Sequence, residues 1–238
     1  MPRIIPVLDV RGGVAVHARG GHRDDYAPLR SRLRPGSDPI LLAEAVRDVF
    51  GLRDLYLADL DAIAGLPPSV DLYRALVDLG IRMWVDPGLR DGSMAVEILA
   101  TGVTRAIVGL ETVDGPEGLH DALRAFGPSR LAFSLDLRDG HPIATGWRED
   151  DPFQIAATAI EAGIETVILL DLARVGLSRG VGTLPLLRRL SEAYPTVEWV
   201  AGGGVAGIDD LDAIGRAGGS AALVASALHD GRILLPPV

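Results

Sequence analysis

The chain has 238 residues, 48% of them hydrophobic, and a formal charge of -9, which suits one large α/β core and disfavours nucleic acid or an anionic membrane surface as partner. There is no cysteine, so disulfides, thiolate metal sites and cysteine nucleophiles are excluded. All 23 basic residues are arginine, which leaves Schiff-base chemistry without its lysine.

Residues 1–6, Met-Pro-Arg-Ile-Ile-Pro, lack the pattern of a secretory leader, and no apolar run approaches the roughly 20 residues that span a bilayer. A cytoplasmic location is the expectation. Strand-like apolar runs follow at 4–10, 55–58, 83–85 and 106–108, alternating with amphipathic stretches at 40–50, 70–79, 95–100 and 118–126. The order then repeats. Runs at 131–135, 166–170, 198–201 and 221–225 read as strands, with helices at 153–162, 184–194 and 208–217 and a short last one ending by Leu235. Eight strand and helix units in strict alternation imply a parallel sheet closed into a single (β/α)8 TIM barrel. One domain over 1–238 is expected, with half-barrels at about 1–128 and 129–238.

An internal repeat supports the two halves. Residues 133–140, Phe-Ser-Leu-Asp-Leu-Arg-Asp-Gly, echo residues 6–13, Pro-Val-Leu-Asp-Val-Arg-Gly-Gly, and put Asp9 and Asp136 at equivalent strand ends. Ser37-Asp38-Pro39 and Asp151-Pro152 are helix starts at corresponding points of the halves. In such a barrel the reacting groups sit at the strand C-termini and the loops after them. Asp9, Asp59, Asp61, Asp86, Glu111, Asp136 and Asp171 all fall there. Asp9 and Asp136 make a candidate base and acid pair. For any single acid, a helix cap is the commoner role.

Gly202-Gly203-Gly204 leaves a strand and enters a helix, and Ala225-Ser226 follows the next strand; together they predict a phosphate cradle. The matching first-half segments read Asp86-Pro87-Gly88 and Gly109-Leu110-Glu111. Pro87 has no N–H, and the two acids repel a dianion unless Arg90 compensates, so one phosphate site is expected rather than two. On the first loop, Arg19 is a candidate for substrate contact, with Arg23, His17 and His22 beside it; a solvated loop is the competing reading.

These motifs resemble the histidine-biosynthesis barrel family, the ribotide isomerase and its sister cyclase subunit. The likeness is carried by Ile5-Pro-Val-Leu-Asp9, Gly12 to Val16, Ser37-Asp38-Pro39, Ser134-Leu-Asp136 with Asp139-Gly140, Gly146-Trp147, the triglycine, and Ala227-Leu228 before Asp230-Gly231. It covers essentially the whole chain. Ala58-Asp-Leu-Asp-Ala-Ile63 and Ala227-Leu-His-Asp-Gly231 also look like an isomerase-related branch found with pterin-linked one-carbon metabolism. The resemblance implies an Amadori or aldose-ketose rearrangement of a phosphorylated, ribotide-like metabolite without a cofactor. Asp9 is then the general base and Asp136 the general acid. It also implies Trp147 stacked over a ligand ring and Asp171 as a substrate contact. Against the isomerase pattern of Thr-Asp-Ile and Asp-Gly-Thr on strand six, this chain has Leu170-Asp171-Leu172 and Val175-Gly176-Leu177. Two alternatives stay open on the residues: magnesium held by Asp9, Asp59, Asp61 and Asp171, and a barrel that binds a phosphorylated metabolite without converting it.

Overall fold

The computed structural model describes residues 1–233. Eight parallel strands follow one another round a closed barrel: β1 Arg3–Arg11, β2 Asp54–Asp59, β3 Arg82–Asp86, β4 Arg105–Gly109, β5 Leu131–Arg138, β6 Thr166–Asp171, β7 Glu198–Gly202 and β8 Ala221–Val224. Each pairs with the next, and β8 returns to β1 from Arg3↔Ala221 to Pro6↔Val224. Outside them lie α1 Pro39–Phe50, α2 Val70–Asp78, α3 Ala95–Leu99, α4 Gly115–Phe126, α5 Pro152–Ala162, α6 Leu184–Ala193, α7 Ile208–Arg216 and α8 Ser226–His229.

All eight expected strands are present. The eighth stops at Val224, one residue early, so Ala225 is the residue before α8. The expected end of the last helix at Leu235 lies outside the described residues. Helix α4 starts three residues before the apolar periodicity does, because Pro116 fits a first turn that needs no N–H from it. Short antiparallel segments at Val14–His17 and His141–Pro142 extend β1 and β5 past the barrel rim.

Both expected caps form. The Asp38 side chain accepts from the amides of Ile40 and Leu41, and that of Asp151 from Phe153, each ahead of a proline in the first turn. Helices α1 and α5 then end on Gly51 and Gly163, which take the positive φ that glycine adopts without strain. Along α1, Leu42, Val46 and Phe50 recur at four-residue spacing and are buried against the strands.

The strands are buried on both faces, so they form two cores. One lies between strands and helices and includes Leu8, Leu57, Val85, Val108, Leu135 and Leu169. The other fills the barrel with Ile5, Tyr56, Trp84, Ile107, Ala132, Ile168, Val200 and Leu223. Because side chains alternate along a strand, the second set fixes which residues point inward. At the N-terminal end the interior is plugged by charge. Arg3 binds Asp54 (3.3 Å) and Glu198 (2.7 Å), Arg82 binds Asp54 (2.7 Å), and Arg105 binds Glu198. The guanidinium carbons of Arg3 and Arg105 lie 5.6 and 4.5 Å from the Trp84 ring centre. Among the described residues, no helix is long and apolar enough to cross a membrane.

Candidate active site

The inward phase of each strand, followed to its C-terminal tip, decides which polar groups meet. On β1 the inward residues Ile5 and Val7 are followed by Asp9; on β3, Trp84 by Asp86; on β5, Ala132 and Ser134 by Asp136. Asp9 sits in register with Ala58, and Ala58 with Asp86. Asp136 sits in register with Leu170, and Leu170 with Gly202. The two halves thus present the same three places, filled as Asp, Ala, Asp in the first and Asp, Leu, Gly in the second. Asp9, Asp86, Glu111 and Asp136 line one cavity at this mouth, about 870 Å³ counted out to its opening, with Arg23, Tyr26 and Tyr56 beside them.

Removal from water dominates the electrostatics. Burial raises the Asp9 carboxyl to about 7, against a lowering pull from Arg23. Asp86 also rises to about 7 through burial, offset in part by the Gly88 amide that donates to it. Asp136 is raised well above the usual carboxylate range, first by burial and then by the charge of Glu111, although the Ser134 hydroxyl donates to it at 2.6 Å. Burial thus favours the protonated form of Asp136 in the same cavity as an Asp9 that ionises near neutrality, an arrangement able to supply both an acid and a base. Gly109 makes room for this group, since a Cβ there would lie 3.0 Å from an Asp136 oxygen.

At the other end of the cavity lie Gly203, Gly204, Ala225 and Ser226. Gly203 and Gly204 have φ of 84° and 98°, and a Cβ on either would meet a carbonyl oxygen, of Asp171 at 2.6 Å and of Gly180 at 2.5 Å. Only glycine fits both positions. Among the described residues, their amides have no protein acceptor. The Ser226 hydroxyl is held 3.2 Å from His17 Nε2. Gly202 points inward beneath this end, packed against Leu170 and Leu223 rather than on the cavity wall.

Other candidates fall elsewhere. Asp171 is one residue out of phase with the inward Ile168 and Leu170, and its carboxylate accepts from the amides of Ala173 and Asp139 at 3.1 Å each. Arg19 is exposed and off the cavity wall; Arg23, four residues on, turns in instead and pairs with Glu111. Trp147 packs on Phe133 with ring centres 6.1 Å apart, away from the cavity, and its indole N–H has no partner among the described residues. His17 is a support for Ser226 rather than a free loop residue.

The magnesium set does not converge. Asp59 is fully buried outside the barrel and accepts from the amides of Ala62 and Ser69 and the Tyr73 hydroxyl, while Asp61 accepts from the amide of Gly12. With Asp171 acting as a cap, three of the four carboxylates are spent on backbone amides. Among the described residues, no three His, Asp or Glu side chains are grouped to hold a metal.

A closed parallel barrel whose strand-end acids share a cavity with the glycines and serine that follow its seventh and eighth strands has the architecture of barrel enzymes that work on phosphorylated small molecules. The chain belongs to the histidine biosynthesis protein family, whose model matches residues 3–234. It is 32% identical over 241 residues to the 1-(5-phosphoribosyl)-5-((5-phosphoribosylamino)methylideneamino)imidazole-4-carboxamide isomerase of Thermus thermophilus, covering 98% of this chain and 97% of that one. The isomerase of the same name from Nitratidesulfovibrio vulgaris is 34% identical over 216 residues, 89% of this chain and 83% of its own. An uncharacterised protein of Methanocaldococcus jannaschii is similar at 29% identity over 96% of this chain and 94% of its own.

Proposed function

We propose that this chain is an isomerase of the Amadori or aldose-ketose kind acting on a phosphorylated, ribotide-like sugar. The observation that carries the reading is the pair of inward carboxyls in one cavity, Asp136 pushed by burial toward its protonated form and Asp9 ionising near 7, facing glycine amides without an acceptor among the described residues. In this reading Asp136 gives its proton to the ring oxygen, the ring carbon–oxygen bond breaks, and an open-chain imine or carbonyl forms. Asp9 takes the proton from the neighbouring carbon, and the resulting enamine or enediol is reprotonated to the ketose. No electrons are exchanged with a second reactant. The Gly203, Gly204 and Ser226 end holds the phosphate and so fixes the reacting carbons relative to both carboxyls. The names of the curated relatives support the substrate class, since each of the two isomerases acts on a compound with phosphoribosyl groups.

The test is turnover in Asp9→Asn and Asp136→Asn, offered the relatives' ribotide and singly phosphorylated aminosugars, with products resolved by NMR. Each variant is expected to fold as the wild type and to lose roughly 10² to 10⁴-fold in kcat. Wild-type turnover in Asp9→Asn would remove the base from this scheme.

A further inference from the structure

We infer that the substrate of this cavity carries phosphate at one end only, and that Glu111 and Asp86 are the specificity-determining residues that turn a second phosphate away. The inference rests on the proposed assignment of the Gly203 and Ser226 end to phosphate and extends it to the opposite end. The two ends derive from equivalent loops, so they can be compared atom by atom. In the second half the amides of Gly203 and Gly204 have no acceptor among the described residues. In the first half, Pro87 has no N–H, and the three amides around it are already used. Gly88 N donates to Asp86 Oδ1 at 3.0 Å, Leu110 N to the Ser134 carbonyl at 2.9 Å, and Glu111 N to Asp136 Oδ2 at 3.4 Å. Pro87, Gly88 and Leu110 are also absent from the cavity wall, to which these two loops contribute Asp86 and Glu111.

The charges agree with the backbone. Asp86, Glu111 and Asp136 line this end, the Tyr56 hydroxyl lies 3.4 Å from Asp86 Oδ2, and Tyr26 and the cation Arg23 line the same cavity. Arg90 does not compensate, because it is exposed and lies 3.7 Å from Asp114. Arg23 is engaged by Glu111. A phosphate that recruited Arg23 would strand Glu111 beside a dianion, and like charges at such range are strongly disfavoured. Hydroxyl and amine donors, by contrast, are what carboxylates and a tyrosine oxygen accept. The unphosphorylated end of the substrate is therefore a donor-rich group, polyhydroxylated or cationic.

Calorimetric titration of the full chain at pH 8 with inorganic phosphate and with ribose 5-phosphate tests the count without needing turnover. One anion per chain is expected in the wild type and none in Ser226→Asp. The bisphosphorylated ribotide used by the isomerase relatives should gain roughly tenfold or more in affinity in Glu111→Ala, whereas ribose 5-phosphate should change little. Glu111→Gln, which keeps a partner for Arg23, serves if the alanine variant fails to fold, and the same gain is expected there. Two phosphates per wild-type chain, none at all, undiminished binding in Ser226→Asp, or no gain for the bisphosphorylated ligand would each overturn the inference. A chain that binds one phosphate yet converts no sugar would retain it and lose the isomerase reading instead.

Discussion

Asp9 and Asp136 owe their properties to depth, and pH is the lever that separates them. With Asp9 at about 7, kcat/KM is expected to rise with pH through about 7 as the base ionises, while burial, which raises Asp136 well above the usual carboxylate range, favours the protonated acid. A flat profile between pH 5 and 9 would exclude this pair. Asp86 gives a stability readout of the same burial. Its carboxyl titrates near 7 in the folded chain against 3.8 as a free side chain, so folding binds a proton that the unfolded chain has released. The resulting penalty is absent below about pH 4, grows as pH climbs to about 7 and is complete above it. Asp86→Asn is thus expected to stabilise the chain by roughly 2 to 4 kcal/mol at pH 8 and by almost nothing at pH 4, in urea unfolding at both. An equal gain at the two pH values would point away from ionisation. Asp9 and Asp136 were legible in the sequence because each ends an apolar run and their segments repeat. Asp171 ends such a run too, but Thr166-Val-Ile-Leu-Leu-Asp171 is apolar on both faces, so no alternation reveals that the acid faces outward. Arg23 stayed hidden beside Arg19 because a single turn at Arg23–Asp25 decides which arginine enters the cavity.

At the level of elements, what the strands fix the loops complete. The caps of α1 and α5 could be read from Asp-Pro pairs, since that chemistry is local. Asp38→Ala is expected to cost about 1 kcal/mol and to leave turnover unchanged, because α1 lies outside the barrel. The loop after β6 behaves differently. Gly176 has φ of 68°, and a Cβ there would lie 2.0 Å from the Ala18 carbonyl oxygen, while Gly20 N donates to Val175 O at 2.9 Å. This loop therefore sets the position of the first loop, and with it Arg23. Gly176→Ala is expected to lower kcat/KM by roughly tenfold or more, since small displacements of a site are costly. A variant with wild-type kinetics would show that the first loop is placed by other contacts. Nothing in Val175-Gly176-Leu177 announced the contact, because it joins segments more than 150 residues apart and exists only once the barrel has closed.

For the molecule as a whole, the charged plug and the candidate site sit at opposite ends of the strands. Glu198 joins Arg3, Arg105 and Thr166 at the closed end, so β1, β4, β6 and β7 share one carboxylate. Its carboxyl is held below the usual range: burial pushes it up, but the Arg105 bond and charge outweigh that. Glu198→Ala is expected to cost roughly 1 to 3 kcal/mol near neutrality and leave kcat intact. The deficit should fade as pH falls below 4.5, where the wild-type chain loses the same charge. A fall in kcat would mean that the two ends are coupled. The plug also governs traffic. With Trp84 clasped by two arginines below, the described residues close that end into a blind well, so whatever enters by the mouth at the strand C-termini must reverse along its own route. A compound that corks the rim would therefore trap product as effectively as it bars substrate.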